Sequence, residues 1–199
     1  MTTNLQRILP EALMPLDEYA QKRTLIRKHM VELKRDRRLA VGPFATFHFE
    51  NYETMWAQVM EMLHIEKGGP EQIEGELDAY NPLIPQGSEL IATLMLEIED
   101  PARRNRELVR LAGIETCCYI ELGNQRLAGS PTEYGERTSA DGKTSSVHWL
   151  RFAFTATLRQ QFANPAVPAL LGIAHPAYGH IAVIPPSTRA ALSKDFSAS

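Results

Sequence analysis

The hydrophobic period of this chain switches from helical to two-residue and back within its first third, and the order of those switches limits the folds open to it. Tyr19, Ile26, Met30 and Leu33 recur at the spacing of one buried helical stripe, which predicts a helix from Asp17 to about Leu39, stopped by Gly42 and Pro43. Phe44 to Glu50 then alternates strictly. Phe47 and Phe49 face one way and Thr46, His48 and Glu50 the other, the mark of a half-buried strand. Asn51 is a good cap for a second helix, Tyr52 to about Glu66, with Met55, Trp56, Val59, Met62 and Leu63 on its core face. Gly68, Gly69 and Pro70 break it, and a third helix follows from about Glu71 to Tyr80. Leu90 to Glu99 reads as a long strand. Asp100 and Pro101 open a helix that Gly113 closes. The remainder is mostly strand: Thr116 to Leu122, a hairpin of Glu133–Ser139 and Thr144–Thr155 around Asp141-Gly142, a short helix at Thr157–Phe162, and Ile181 to Ile184. Helices and strands do not alternate regularly, so a doubly wound parallel sheet does not fit. The expected class is α+β, a mostly antiparallel sheet with helices packed on one face.

At 199 residues, 44% hydrophobic and 23% charged, the chain suits one domain spanning 1–199. Residues 1–15 are expected to form an arm packed on it, and about 190–199 a frayed tail. A chain of this length needs no disulfide or metal to fold. The formal net charge of -3 argues against dedicated nucleic-acid or anionic-membrane binding. The two cysteines, Cys117 and Cys118, are adjacent and make no disulfide framework. No apolar run approaches the roughly 20 residues of a membrane span, and Met1 to Pro10 lacks a secretory layout. A reducing cytoplasm is the expected compartment. The phosphate-loop, dinucleotide, zincin, nucleophile-elbow and zinc-cysteine signatures are all missing from the sequence.

Three constellations carry chemistry. The first is the strand–helix junction. His48 and Glu50 leave the same strand face, and Thr54, Gln58 and Glu61 share a face of the next helix. Glu61 and His64 form one Glu-x-x-His pair. A ferritin-like di-iron centre needs two such pairs and fails here, which leaves a mononuclear site built on His48, Glu50 and Glu61 with a distant histidine. The competing reading is a hydrogen-bond network bracing strand against helix. The second constellation is His175-Pro176-Ala177-Tyr178-Gly179-His180, read either as a ligand-bearing loop or as a surface turn onto the last strand with Tyr178 packed. His148, on a strand face with Leu150, Phe152 and Phe154, is a ligand candidate or a satisfied core histidine. The third is charge. Lys22, Arg23, Arg27, Lys28, Lys34, Arg35, Arg37 and Arg38 precede an acidic stretch of Glu50, Glu53, Glu61, Glu66, Glu71, Glu74, Glu76 and Asp78. This suggests pairing within the fold or across a dimer, or an anion site at Arg35, Arg37 and Arg38.

The strings His29-Met30 with Lys34-Arg35, Arg37-Arg38 and Gly42, then Phe47-His48-Phe49-Glu50-Asn51 with Thr54, Gln58 and Glu61-Met62, then Glu76-Leu77, Ala79-Tyr80-Asn81-Pro82-Leu83 and Ala92-Thr93-Leu94-Met95-Leu96-Glu97 together resemble the bacterial Domain of Unknown Function 3501 family. The resemblance spans nearly the whole chain and is strongest over residues 23–100. It implies no assigned activity and no catalytic set. It does imply an association with rubrerythrin-type proteins and with iron–sulfur proteins related to heterodisulfide reductase, and so redox or peroxide-stress work.

Two functions follow as expectations. One is a metal- or small-ligand-binding redox accessory protein, enzyme or not. Its pocket would draw on His48, Glu50, Thr54, Gln58, Glu61 and Tyr178, and a mononuclear transition metal such as iron would draw on His48, Glu50, Glu61, His64, His148, His175 and His180. The other is a non-catalytic interaction protein whose basic and acidic helices mediate a homodimer or docking to an iron–sulfur or rubrerythrin-type partner.

Overall fold

A computed structural model describes residues 6–132 and 142–196. The elements run α1 (Leu16–Arg35), β1 (Arg38–Val41), β2 (Ala45–Glu50), α2 (Tyr52–Glu66), α3 (Pro70–Tyr80), β3 (Glu89–Leu96), α4 (Pro101–Arg110), β4 (Cys118–Leu122), β5 (Gln125–Pro131), β6 (Val147–Ala153), α5 (Ala156–Ala163), β7 (Ala169–His175), β8 (Tyr178–Val183) and α6 (Pro186–Leu192). The strands form one eight-stranded sheet in the order β1-β2-β3-β6-β5-β4-β7-β8. Every neighbouring pair is antiparallel. The class is α+β, as the order of periods predicts, and the sheet curls until its edge strands β1 and β8 lie side by side, nearly a barrel.

The period-2 pattern sorts residues between the two faces. Phe47 pairs with Leu94 and Phe49 with Ala92, and Ala92 in turn with Leu150. These side chains join Val41, Leu90, Phe152, Ile120, Leu171 and Ile173 in the interior cluster, to which α4, α5 and α6 add Leu108, Phe162 and Leu192. The outer face of β3 and β6 presents Ile91 and Trp149 to a second cluster formed with Met55, Val59 and Leu63 of α2, Leu77 of α3 and Ile8 of the N-terminal arm. Asn81 holds that arm by accepting from the Ile8 amide at 2.7 Å and donating to its carbonyl at 3.1 Å.

Tyr178 joins the sheet edges. Its hydroxyl donates to the Val41 carbonyl at 2.8 Å and accepts from the amides of Phe44 and Ala45 at 3.2 and 3.1 Å. Gly42, at φ +77°, makes that approach possible, since a Cβ there would lie 2.6 Å from the Tyr178 oxygen and the His180 ring.

The helix expected to run to Leu39 stops at Arg35, and Arg38–Val41 is a strand. Gly42-Pro43 is therefore the turn of a β1–β2 hairpin and not a helix stop. The cause is Arg37. Its buried guanidinium donates to the carbonyls of Phe49 and Glu50 and to the Asp195 carboxylate. Burial pushes the Asp195 carboxyl above its ordinary range, against the pull of Arg37. The same pair overturns the expected fraying of the C-terminal segment as far as Phe196: Leu192 is buried and Phe196 packs on Phe154 and Phe162. Arg189 secures α6 by donating to the carbonyls of Gln161 and Phe162 in the last turn of α5 and of Asn164 and Val167 just past it. Strands β5 and β7 were not anticipated. Of the expected hairpin around Asp141-Gly142, the first arm, Glu133–Ser139, and Asp141 fall outside the described residues, and the second, Thr144–Thr155, contains β6.

Removing one partner of a fully buried ion pair strands the other charge, so Arg37→Met or Asp195→Ala is expected to lower stability in urea denaturation by about 3–5 kcal/mol. The double variant Arg37→Met/Asp195→Leu is expected to lose much less. A loss in the single variants below about 1 kcal/mol would mean the pair is hydrated.

Candidate functional site

Helix α1 lies across α2 with one fully buried anchor, Tyr19. Two interactions fix it there. The Tyr19 hydroxyl donates to Glu61 Oε1 at 2.8 Å. The Arg23 guanidinium forks onto the same carboxylate at 2.9 and 2.8 Å. The Arg23 fork holds the Glu61 carboxyl below its ordinary range, and burial together with the Glu61 bond pushes the Tyr19 phenol up. Beyond this anchor α1 stands off the sheet, leaving a groove of about 800 Å³ between α1, α2 and the β1–β2 hairpin. That volume falls in the range of small-molecule sites, roughly 300–1,000 Å³.

The groove has two kinds of wall. Ile26, Met30, Ala57, Met62 and Ile65 supply apolar surface, and Arg23, Arg27, Lys34, Arg35 and Arg38 supply positive charge against only Glu32 and Glu61. Both acids are already engaged: Glu61 by Arg23 and Glu32 by Arg35 at 2.8 Å. The side chains of Arg27, Lys34 and Arg38 make no hydrogen bond or ion pair among the described residues, and Arg27 acts on the Glu61 carboxylate only through space. Arg27 and Lys34 are seven residues apart and so share a face of α1. Arg38 pairs across the hairpin with His48. This places Arg38, His48, Thr93 and Trp149 in one cross-strand row on the outer face of the sheet.

His48 lines the groove, and its Nε2 is sealed from solvent without a hydrogen-bond partner. Burial lowers its pKa below the ordinary 6.5, and Lys34 and Arg38 lower it further, while Glu50 and Glu97 pull it the other way. The ring is neutral near pH 7. Buried polar nitrogens are nearly always satisfied, and this one, within electrostatic reach of Lys34 and Arg38, still has a hydrogen bond to make.

The other expected residues divide as follows. Gln58 lines the groove, with a long 3.5 Å contact to the Tyr80 hydroxyl. Glu50 is buried under α2, where its two oxygens accept from Thr54 Oγ1 at 2.6 Å and Thr93 Oγ1 at 2.7 Å. Thr54 also completes the Asn51 capping box. Glu50 and Thr54 thus brace strand against helix and do not line the groove. Arg35 and Arg38 reach it, but Arg37, expected beside them, points into the fold toward Asp195. Tyr178 lies at the opposite end of the β1–β2 hairpin with its hydroxyl fully engaged.

The expected metal set does not assemble: among the described residues no group of three or more His, Cys, Asp or Glu side chains could hold a metal ion. The members are separated by the fold itself. Glu61 is engaged by Arg23 and Tyr19, and His64 packs its edge against the Tyr19 ring. His148 is buried beside Thr144 and the Ser145 carbonyl. His175 contacts the Ala112 carbonyl, and His180 lies against Tyr178. Cys118 is buried, which pushes its thiol pKa up. No helix among the described residues is long and apolar enough to cross a membrane.

Sequence reasoning passed over Arg27 and Lys34 as site residues. Their heptad spacing, continued by Arg38 at the start of a strand, was the available signal.

A family model described as "Protein of unknown function (DUF3501)" matches residues 7–196. A solved structure, that of a novel protein of unknown function from Burkholderia pseudomallei K96243, is 32% identical with a TM-score of 0.87, covering 96% of this chain and 100% of that chain. No curated protein matches.

Since the unfolded chain accepts a proton at residue 48 that the folded chain resists, stability is expected to fall as pH drops below about 6.5. His48→Gln is expected to flatten part of that slope between about pH 7 and 5 in urea titrations. An unchanged slope would place the ring in water.

Proposed function

The chain belongs to the DUF3501 family of proteins of unknown function, and from that premise we propose that it binds a small anionic ligand in the groove between α1, α2 and the β1–β2 hairpin. One observation carries this reading: Arg27, Lys34 and Arg38, none of them ion-paired among the described residues, line one concave surface with His48, whose Nε2 has no hydrogen-bond partner there. Three cations on one wall leave the empty groove positively charged, and a bound anion would offset that charge. The metal form of the expected site has no support in the arrangement of its residues. A cytoplasmic redox or peroxide-stress setting, beside rubrerythrin-type and iron–sulfur proteins, rests on the family resemblance alone and would be the context in which such a ligand is met.

The binding reading is tested by heteronuclear NMR at low salt with inorganic phosphate and acetate as probes. Either anion is expected to shift the Arg38 and His48 amides and the His48 ring, and the effect is expected to weaken between about 0.01 and 0.15 M salt as screening sets in. Arg38→Glu is expected to abolish it. Shifts confined to other basic residues would defeat the reading.

A second reading, self-association, is favoured by a different observation. Helix α1 exposes Leu25 (71%) and, on the groove's lining, Val31 (68%), with Lys28 and Arg35 on the same helix, while α3 exposes Glu71, Glu74 and Asp78. A twofold dimer would set each basic helix against its partner's acidic one. Sedimentation is expected to show a dimer that dissociates with salt and is lost in Lys28→Glu/Arg35→Glu. A monomer at every salt concentration would exclude this form.

A further inference from the structure

Resting on the anion-binding reading, we infer that the groove's ligand class is a phosphate monoester carried on an aliphatic body. The charge balance comes first. With Arg23 set against Glu61 and Arg35 against Glu32, three cations remain on the groove, Arg27, Lys34 and Arg38. A carboxylate neutralises one of them and leaves two without a counter-charge. A phosphate monoester brings close to two charges and three acceptor oxygens, enough for a guanidinium fork and an ammonium together.

The geometry agrees. Arg27 and Lys34 approach from α1, whereas Arg38 and His48 approach from the hairpin, so the donors come from two directions onto one tetrahedral headgroup. The neutral imidazole contributes either a donor to a phosphate oxygen or an acceptor to a protonated one. Inorganic phosphate alone would leave most of the approximately 800 Å³ unfilled.

The remaining wall decides the body. Ile26, Met30, Ala57, Met62 and Ile65 form a continuous apolar side, and methionines adapt to irregular chains. The one aromatic residue of the lining, Tyr19, is committed to Trp56, His64 and Glu61. No stacking platform for a nucleobase is on offer, and the sequence has no glycine-rich phosphate loop. An aliphatic chain fits the wall that is present.

The test compares hexyl phosphate, hexyl sulfate, hexanoate, inorganic phosphate and adenosine monophosphate, by calorimetry and by the NMR shifts of His48 and Arg38 in the full chain at pH 8. Hexyl phosphate is expected to bind at least about tenfold more tightly than any of the others. Lys34→Gln and Arg38→Gln are each expected to weaken it by about tenfold or more, with unchanged urea midpoints because neither side chain has a partner to lose. Met62→Gln is expected to weaken hexyl phosphate and leave inorganic phosphate unchanged.

Equal binding of hexanoate or hexyl sulfate would overturn the dianion requirement and leave the broader anion reading standing. Inorganic phosphate or adenosine monophosphate binding as tightly as hexyl phosphate would overturn the aliphatic body. If no probe moves His48 and Arg38, both the inference and the reading beneath it fall.

Discussion

The buried contact between Arg37 and Asp195 is the constraint on which the working surface of this protein depends. Arg37 ends α1, ties the chain to the carbonyls of Phe49 and Glu50, and reaches the C-terminal segment. With that side chain drawn inward, the next residue on the extended strand must point the other way. Arg38 is thus held on the outer face, across from His48. Two neighbouring arginines, alike in sequence, acquire opposite roles because a strand alternates its side chains.

The same logic separates the two glutamates that the junction appeared to offer as ligands. Glu50 ends β2 under α2, where threonine hydroxyls occupy both its oxygens. Glu61 is claimed by an arginine fork and a phenol, so it anchors α1. Acids that might have neutralised the groove are thereby consumed in building it. The excess of positive charge follows from that construction and does not reflect overall composition, since the chain carries a net formal charge of -3. Local potential is set by which charges are paired, and a near-neutral total says little about one concave face.

Particular residues show how far the linear pattern could be followed. Phe47 and Phe49 announced β2 and its inward face, Asn51 the start of α2, and Asp100-Pro101 the start of α4; in each case the cause is local, a period or a cap. Strand β1 was hidden because only four residues carry its alternation and they continue a basic helical run without a breaker. Strand β7 is buried between β4 and β8 and lacks a polar alternate face to reveal it. Of the residues expected at a site, Arg35, Arg38, His48, Gln58 and Glu61 line the groove, whereas Tyr178 and Arg37 do not. Their partners are distant in the chain: Val41 lies 137 residues from Tyr178, and Asp195 lies 158 residues from Arg37.

The sequence by itself determined the α+β class, the placement of most helices and the inward and outward faces of the first strands, because period and capping are read from neighbours. Only the tertiary structure decided that the sheet nearly closes on Tyr178, that among the described residues the histidines and acids do not gather as a metal site, and that Arg27, Lys34 and Arg38 line one groove with His48. Those outcomes depend on which long-range partner consumes each polar group, and pairing across more than a hundred residues leaves no trace in local spacing.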